Sequence, residues 1–219
     1  MKLSKETMLV LKNFKNINPS IAIDPGNVLK TISPSKTVMA KATLTDEFPL
    51  PFAIYNLDRF LSVSSLYNDP EFEFENEFVR IGTDTSSTHY TFADASLIKR
   101  PPEKEIKLPS IDAEAVIKQT DLDAVMRACG ILGLPEIAIE CRAGTMKLKA
   151  FDSKNPTGDS FSNVIGENDN DFTAVYKVEN LGVYDGDYKV AICSAGISYF
   201  KNVDKDIEYW IAVEQNSTF

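Results

Sequence analysis

The chain has 219 residues, 43% hydrophobic and 25% charged, a globular composition rather than a disordered or fibrous one. That length fits one large domain or two of about 110 residues, and either can bury a core without disulfide or metal staples. With 32 acidic against 23 basic residues the net charge is -9, which excludes a uniformly basic coat for nucleic acid. The distribution is uneven: residues 1–41 hold seven lysines against Glu6 and Asp24, net +5, leaving the other 178 residues at -14.

Cys129, Cys141 and Cys193 are odd in number, lack C-x-x-C spacing and sit in apolar contexts, which argues for a reducing compartment and against a disulfide framework. His89, the only histidine, stands in an alternating stretch and reads as a strand side chain. No G-x-S-x-G elbow accompanies it for a nucleophilic relay, and a zinc site would need all three scattered cysteines. No apolar run approaches the ~20 residues that span a bilayer. The sequence therefore predicts no membrane association, no cofactor and no catalytic residue.

Ser4 predicts the cap of a helix running to about Ile17, stopped by Asn18-Pro19. At about 100° per residue Lys2, Lys5, Lys12 and Lys15 share one face, while Leu3, Val10, Phe14 and Ile17 share the other. A surface helix usually mixes both signs, and this one offers only Glu6, at the boundary. Ile21–Ile23 and Val28–Ile32 around Asp24-Pro-Gly-Asn27 read as a hairpin, and Thr37–Thr43 as a further strand. Phe52–Tyr55 reads as a strand leading to a helix over Leu57–Tyr67, capped by Asn56 and stopped at Asn68-Asp69-Pro70. Glu71–Phe78 alternates phenylalanine with glutamate; the acidic row could collect Mg²⁺ but fits a half-buried strand with a solvated face better. Residues 99–109, with three prolines and six charges, read as an extended connector.

The second half restarts with the same grammar. A strand near Ile111–Lys118 precedes Thr120-x-x-Asp123, a variant capping box, and a helix to about Ile131 with an apolar stripe of Leu122, Val125, Met126, Cys129 and Leu132. Glu136–Cys141 and Thr145–Phe151 form a hairpin, 152–171 a long exposed excursion, and Phe172–Tyr176 a strand entering a helical turn at Val178–Leu181. Strands at Tyr188–Cys193, Ile197–Val203 and Glu208–Glu214 complete the chain. Ala53-Ile-Tyr-Asn-Leu57 has its counterpart in Ala174-Val-Tyr-Lys-Val178, so the halves read as a diverged repeat.

Several segments carry a resemblance: Met1-Lys-Leu-Ser-Lys5, Leu11-Lys-Asn-Phe14, Ile17-Asn18, Ala53–Leu57, Phe60-Leu61 and Ser65-Leu66-x-Asn68-Asp69, with weaker matches at Asp121-Leu122, Arg127, Ile137–Ile139, Asp185–Lys189 and the tail from Tyr209. Through them the sequence resembles the sliding clamps, or DNA polymerase processivity factors, of large myovirus-type tailed bacteriophages. The resemblance implies an α+β DNA-clamp fold of two similar domains, each with helices on one face of an antiparallel sheet. These would be an N-terminal domain over 1–100 and a C-terminal one over 108–219, joined by the connector at about 99–109. Three chains would form a ring, a homotrimer with helices lining its hole. Twelve helices about 10 Å wide close a circle roughly 38 Å across at their axes, leaving ~28 Å for a duplex and water.

The implied partners are double-stranded DNA held without sequence preference, the replicative DNA polymerase and an ATP-dependent clamp loader, in the cytoplasm of the infected bacterial host. The resemblance also admits a coupling to late viral transcription. By matching position Lys5, Lys12, Lys15, Arg59, Lys118, Arg127 and Lys177 should face DNA. The second half departs by setting Ala128 and Gly130 beside Arg127, which predicts a weaker hold there. Ile98, Ile106 and Leu108, apolar residues within or adjoining the charged connector, should edge a groove for the polymerase's terminal peptide, unless they only pin the connector to the sheet. Edges at Thr88–Ala93 and Phe172–Tyr176 are expected to meet between subunits. The competing readings are a β-rich phage structural protein of the virion or tail, which leaves the segregated lysines unexplained, and an enzyme with an unrecognised carboxylate site.

Overall fold

A computed structural model describes residues 1–104 and 106–219; Glu105 of the expected connector lies outside the described residues. The chain divides into two compact units, Met1–Glu103 and Lys104–Phe219.

The first unit begins with helix α1, Lys5–Ile17, whose Ser4 hydroxyl accepts the Thr7 N–H at 3.2 Å. The helix ends where Asn18 turns extended before Pro19. Its Val10, Leu11 and Phe14 are buried against strands β2 (Gly26–Ile32) and β3 (Val38–Phe48), each such side chain contributing about 1.5–3 kcal/mol. Strand β1, Ile21–Ile23, does not form the expected hairpin with β2; it pairs with β4, Phe52–Ile54. Helix α2, Leu57–Ser64, packs on α1 and stops three residues before the expected Tyr67, and Asn56 caps it as the sequence predicts. Glu71–Phe78 is two strands rather than one, β5 (Glu71–Phe74) and β6 (Phe78–Gly82), and β7 (Ser87–Thr91) completes an antiparallel sheet in the order β5-β6-β7. Phenylalanines 48, 52, 60, 72, 74 and 92 meet in one aromatic cluster inside this unit through edge-on, tilted and stacked ring contacts.

In the second unit strand β8, Ala113–Ile117, leads directly into helix α3, Gln119–Leu132. The expected capping box is absent: Thr120 lies inside the helix, and the Gln119 N–H is satisfied by Asp187 Oδ1 at 2.8 Å. Leu122, Val125, Ala128 and Cys129 are buried, whereas Leu132 is exposed. Strands β9 (Glu136–Arg142) and β10 (Thr145–Phe151) form the expected hairpin. The supposed excursion 152–171 contains strand β11, Phe161–Glu167, which pairs with β10. Strand β12, Phe172–Lys177, pairs with the other side of β9, so this sheet runs β11-β10-β9-β12, with α3 packed on β10 and β11. The turn Val178–Leu181 is 3-10 rather than α, so each chain supplies three α-helices among the described residues where the ring estimate took four. Strands β13 (Tyr188–Cys193), β14 (Ile197–Asn202) and β15 (Ile207–Ala212) extend β8 in the order β8-β13-β14-β15.

Candidate nucleic-acid interface

Two features fix the attitude of α1. Its buried stripe seats it on β2 and β3, and Asp46 of β3 fastens its first turn. The Asp46 carboxylate accepts the Ser4 N–H at 2.6 Å and the Thr7 hydroxyl at 2.7 Å. Desolvation raises the Asp46 pKa, but those hydrogen bonds outweigh it and hold the carboxyl below its usual range. The opposite face of the helix is thereby turned to solvent with Lys5 and Lys12 exposed. Among the described residues neither lysine has a carboxylate within ion-pair distance.

Lys15 differs. It is half-buried, and its Nζ lies 2.5 Å from Asp58 Oδ1 of α2, so part of its charge is cancelled within the fold. The exposed Arg59 stands next on α2, its own N–H bonded to the Asn56 side chain at 2.8 Å. Arg59 lies near the Tyr90 phenol, whose pKa burial raises and the guanidinium partly lowers. Lys5, Lys12 and Arg59 thus form an accessible positive set on two packed helices, with Lys15 as its tethered member.

The second unit is electrostatically flatter. Arg127 is exposed on α3, but Asp123 one turn earlier is exposed too, about 40° away around the axis. Ala128 turns inward and Gly130 is exposed, so nothing basic reinforces Arg127. Lys118 is exposed ahead of α3, and Lys177 is exposed ahead of the 3-10 turn. The seven predicted residues therefore divide between Lys5, Lys12, Lys15 and Arg59 on the packed helices α1 and α2 and Lys118, Arg127 and Lys177 on separate elements of the second unit. Sequence reasoning missed Asp46 and Asp187, which orient the two long helices. Each lies tens of residues from the turn it caps, so no local signal marks them.

The three residues expected to edge a partner groove do not share one setting. Ile98 belongs to the first unit and is buried, only 6% exposed. Ile106 and Leu108 belong to the second and are half-buried, with the Ile106 carbonyl accepting the Trp210 indole N–H at 3.1 Å. At Ile106 that bond ties the connector backbone to β15.

Residues 4–98 match the family model of the DNA polymerase processivity factor, and residues 114–215 match that of the gp45 sliding clamp, C terminal. The chain is 36% identical to the sliding clamp of Vibrio phage KVP40, covering 98% of this chain and 99% of that one. It is 30% identical to the sliding clamps of Escherichia phage RB69 and Enterobacteria phage T4, with 100% and 99% covered in each case. Among solved structures it resembles the PCNA of A. fulgidus bound to the C-terminal region of FEN-1, with TM-score 0.69, 14% identity and 96% of both chains covered. It also resembles the PCNA of Thermococcus kodakaraensis, with TM-score 0.68, 16% identity and the same coverage. The structural likeness shows the α+β clamp fold, and the sequence relatives show the lineage: the chain belongs to the sliding-clamp family of DNA polymerase processivity factors carried by myovirus phages.

Proposed function

We propose that three copies close into a ring around duplex DNA, with α1 and α2 turned toward the phosphates, and that the ring tethers the replicative DNA polymerase in the cytoplasm of the infected host. The observation that carries this reading is that Lys5 and Lys12, which have no carboxylate within ion-pair distance among the described residues, share one helix face of a protein whose net charge is -9. A closed ring is held by topology, so its inner wall needs only weak, sequence-independent attraction that salt screens, and this permits sliding. Nothing in the chain resembles a phosphate-cradling loop, so an ATP-dependent loader would open and close the ring.

Edge strands would supply the contact between copies. β12 is a poor candidate, because residues 214–218 already lie along it: Thr173 and Thr218 exchange both backbone bonds, and the Glu214 N–H reaches the Val175 carbonyl. The other end of that sheet, β11, and the end strand β7 of the first unit are the edges we assign to the joint. A head-to-tail pairing of β7 with β11 closes when three chains complete the turn, and native mass should be about 73 kDa, three times the 24.3 kDa chain. The decisive test is loading onto circular and linear DNA, with retention expected only on the circle. The charge reading is tested by changing Lys5, Lys12 and Lys15 together to Glu. Polymerase stimulation should fall, most sharply as salt rises, while the fold persists, because Lys5 and Lys12 are exposed and Lys15 gives up only its ion pair with the exposed Asp58. Full stimulation by the triple variant at moderate salt overturns the assignment of that face to DNA.

A further inference from the structure

His89 is the chain's only histidine and stands, exposed, at the centre of β7, the end strand assigned above to the joint between copies. Alternation sorts that strand's side chains. Tyr90 turns inward, edge-on to the Phe60 ring at 5.4 Å, and Thr88 turns inward to the Tyr67 hydroxyl at 2.6 Å, so Ser87, His89 and Thr91 face outward. On the outer face the imidazole lies on the Phe78 ring of β6, centroids 3.7 Å apart. It stands directly opposite Arg80, whose guanidinium grips Glu73 of β5. The other end strand, β11, sorts in the same way. Phe161 and Asn163 pair with the buried Ala150 and Leu148, whereas Val164 pairs with Lys147 and points outward, 64% exposed.

On the ring reading above, we propose that β7 of one copy pairs antiparallel with β11 of the next, His89 against Val164, and that protonation of His89 opens this joint in acid. Like-facing residues must meet across the joint, which allows only registers two residues apart. With His89 opposite Val164, Tyr90 meets Asn163 and Thr91 meets Ser162, so all of β7 lies along β11. The exposed Val164 is then covered by the stacked imidazole and Phe78 rings, whereas a shift of two residues leaves it beside the Ser87 or Thr91 hydroxyl. Two outward rows become continuous: Glu73, Arg80 and His89 of one copy, then Val164, Lys147 and Glu140 of the next. In the free chain water and the Phe78 ring face both accept an imidazolium. Glu71, Glu73 and Asp84 near Arg80 act on it equally in the free chain and in the ring. Closing the joint replaces water by Val164 and removes the screening between the imidazolium and Arg80. Beyond Val164, Lys147 has no carboxylate within ion-pair distance among the described residues, because Glu140 is shared by Arg142 and Lys149. Glu167, three residues along β11, offsets Lys147 but not Arg80. The joint therefore favours the neutral ring: it is firm above the histidine range near about pH 6.5 and weakens as pH falls through it.

The test is the native mass of the full chain across a dilution series at about pH 8 and about pH 5.8, both above the range in which ordinary carboxylates titrate. Acid should weaken assembly about fivefold per joint, on the order of a hundredfold for a ring of three joints. His89→Gln should assemble equally at both pH values. Val164→Glu sets a carboxylate against the imidazole and should invert the response, acid now strengthening assembly, a reversal that a misfolded variant cannot produce. Wild-type assembly indifferent to pH, acid weakening that persists in His89→Gln, or no inversion in Val164→Glu overturns the proposal. A chain that stays single at about pH 8 and is not retained on circular DNA overturns the ring reading and this inference with it. Assembly indifferent to pH with retention intact leaves the ring standing and removes only the switch.

Discussion

Removing Asp46 should loosen the lysine-bearing helix without touching a lysine. Its carboxylate receives two hydrogen bonds from the first turn of α1, at 2.6 and 2.7 Å. A bond to a charged acceptor is worth ~1.5–3 kcal/mol, but Asp46 keeps some solvent contact, so Asp46→Ala should cost about 2 kcal/mol locally. That corresponds to roughly thirtyfold faster amide exchange at Ser4, Thr7 and Met8, read by native-state hydrogen exchange at pH 7. Asp46→Asn keeps an acceptor and loses the charge, so its effect should be about half as large. The pH dependence gives a second check. The folded pKa of Asp46 is depressed, so its contribution is full above the ordinary carboxylate value near 4 and vanishes as pH falls through the folded value. The wild-type chain and Asp46→Asn should therefore converge in acid. Unchanged exchange in Asp46→Ala at pH 7, or an Asn difference that does not shrink as pH falls below the ordinary carboxylate value near 4, would refute the account of how α1 is held.

Other expectations follow from the second unit. Burial raises the pKa values of the Tyr176, Tyr188 and Tyr209 phenols, so stability present below the unfolded tyrosine value near 10 should fall as pH rises beyond it. Phenolate absorbance should show these three ionising only on unfolding. Gly186 has φ 138°, and a Cβ there would meet the Asn202 amide at 2.4 Å, so Gly186→Ala should destabilise by more than ~1 kcal/mol in urea titrations followed by Trp210 emission. Replacing Ile106 and Leu108 with Ser should weaken binding of the polymerase's terminal peptide while leaving the native mass unchanged; unaltered affinity in a folded variant places that contact elsewhere.

How much of this was legible in the sequence depended on whether the cause was local. α1 could be read because Ser4, the apolar stripe and Pro19 all lie within it, and α2 because Asn56 precedes it directly. The break between β5 and β6 was hidden because Glu75-Asn76-Glu77 continues the polar beat of the strands on either side. β11 was hidden for a different reason. As an end strand its side chains are only half-buried or exposed, so Ser162, Asn163 and Glu167 make it look like loop. The pairing of β1 with β4, thirty residues apart, and the capping of α3 by Asp187 depend on tertiary closure, for which no window of sequence holds the information. The paired Ala-apolar-Tyr segments do both lie at a strand-to-helix passage, yet Tyr55 is 66% exposed while Tyr176 is fully buried with its hydroxyl on Ser198 at 2.7 Å. The lysine face was readable as a pattern, whereas the cancellation of Lys15 by Asp58 was not, because the partner belongs to another helix.

The backbone bonds at residues 1 and 218 bear on fidelity of assembly. Met1 exchanges two hydrogen bonds with Phe72 on β5, just as Thr218 does with Thr173 on β12. Each of these small sheets thus has one margin, β5 or β12, bonded by its own chain, and its other margin, β7 or β11, is the edge assigned to the joint in the ring proposed above. Pairing between copies through β5 or β12 would first have to displace those residues. A peptide tag that drew Met1 or the last residues away from those strands would unseal the closed margins, and misassembled aggregates would be its signature.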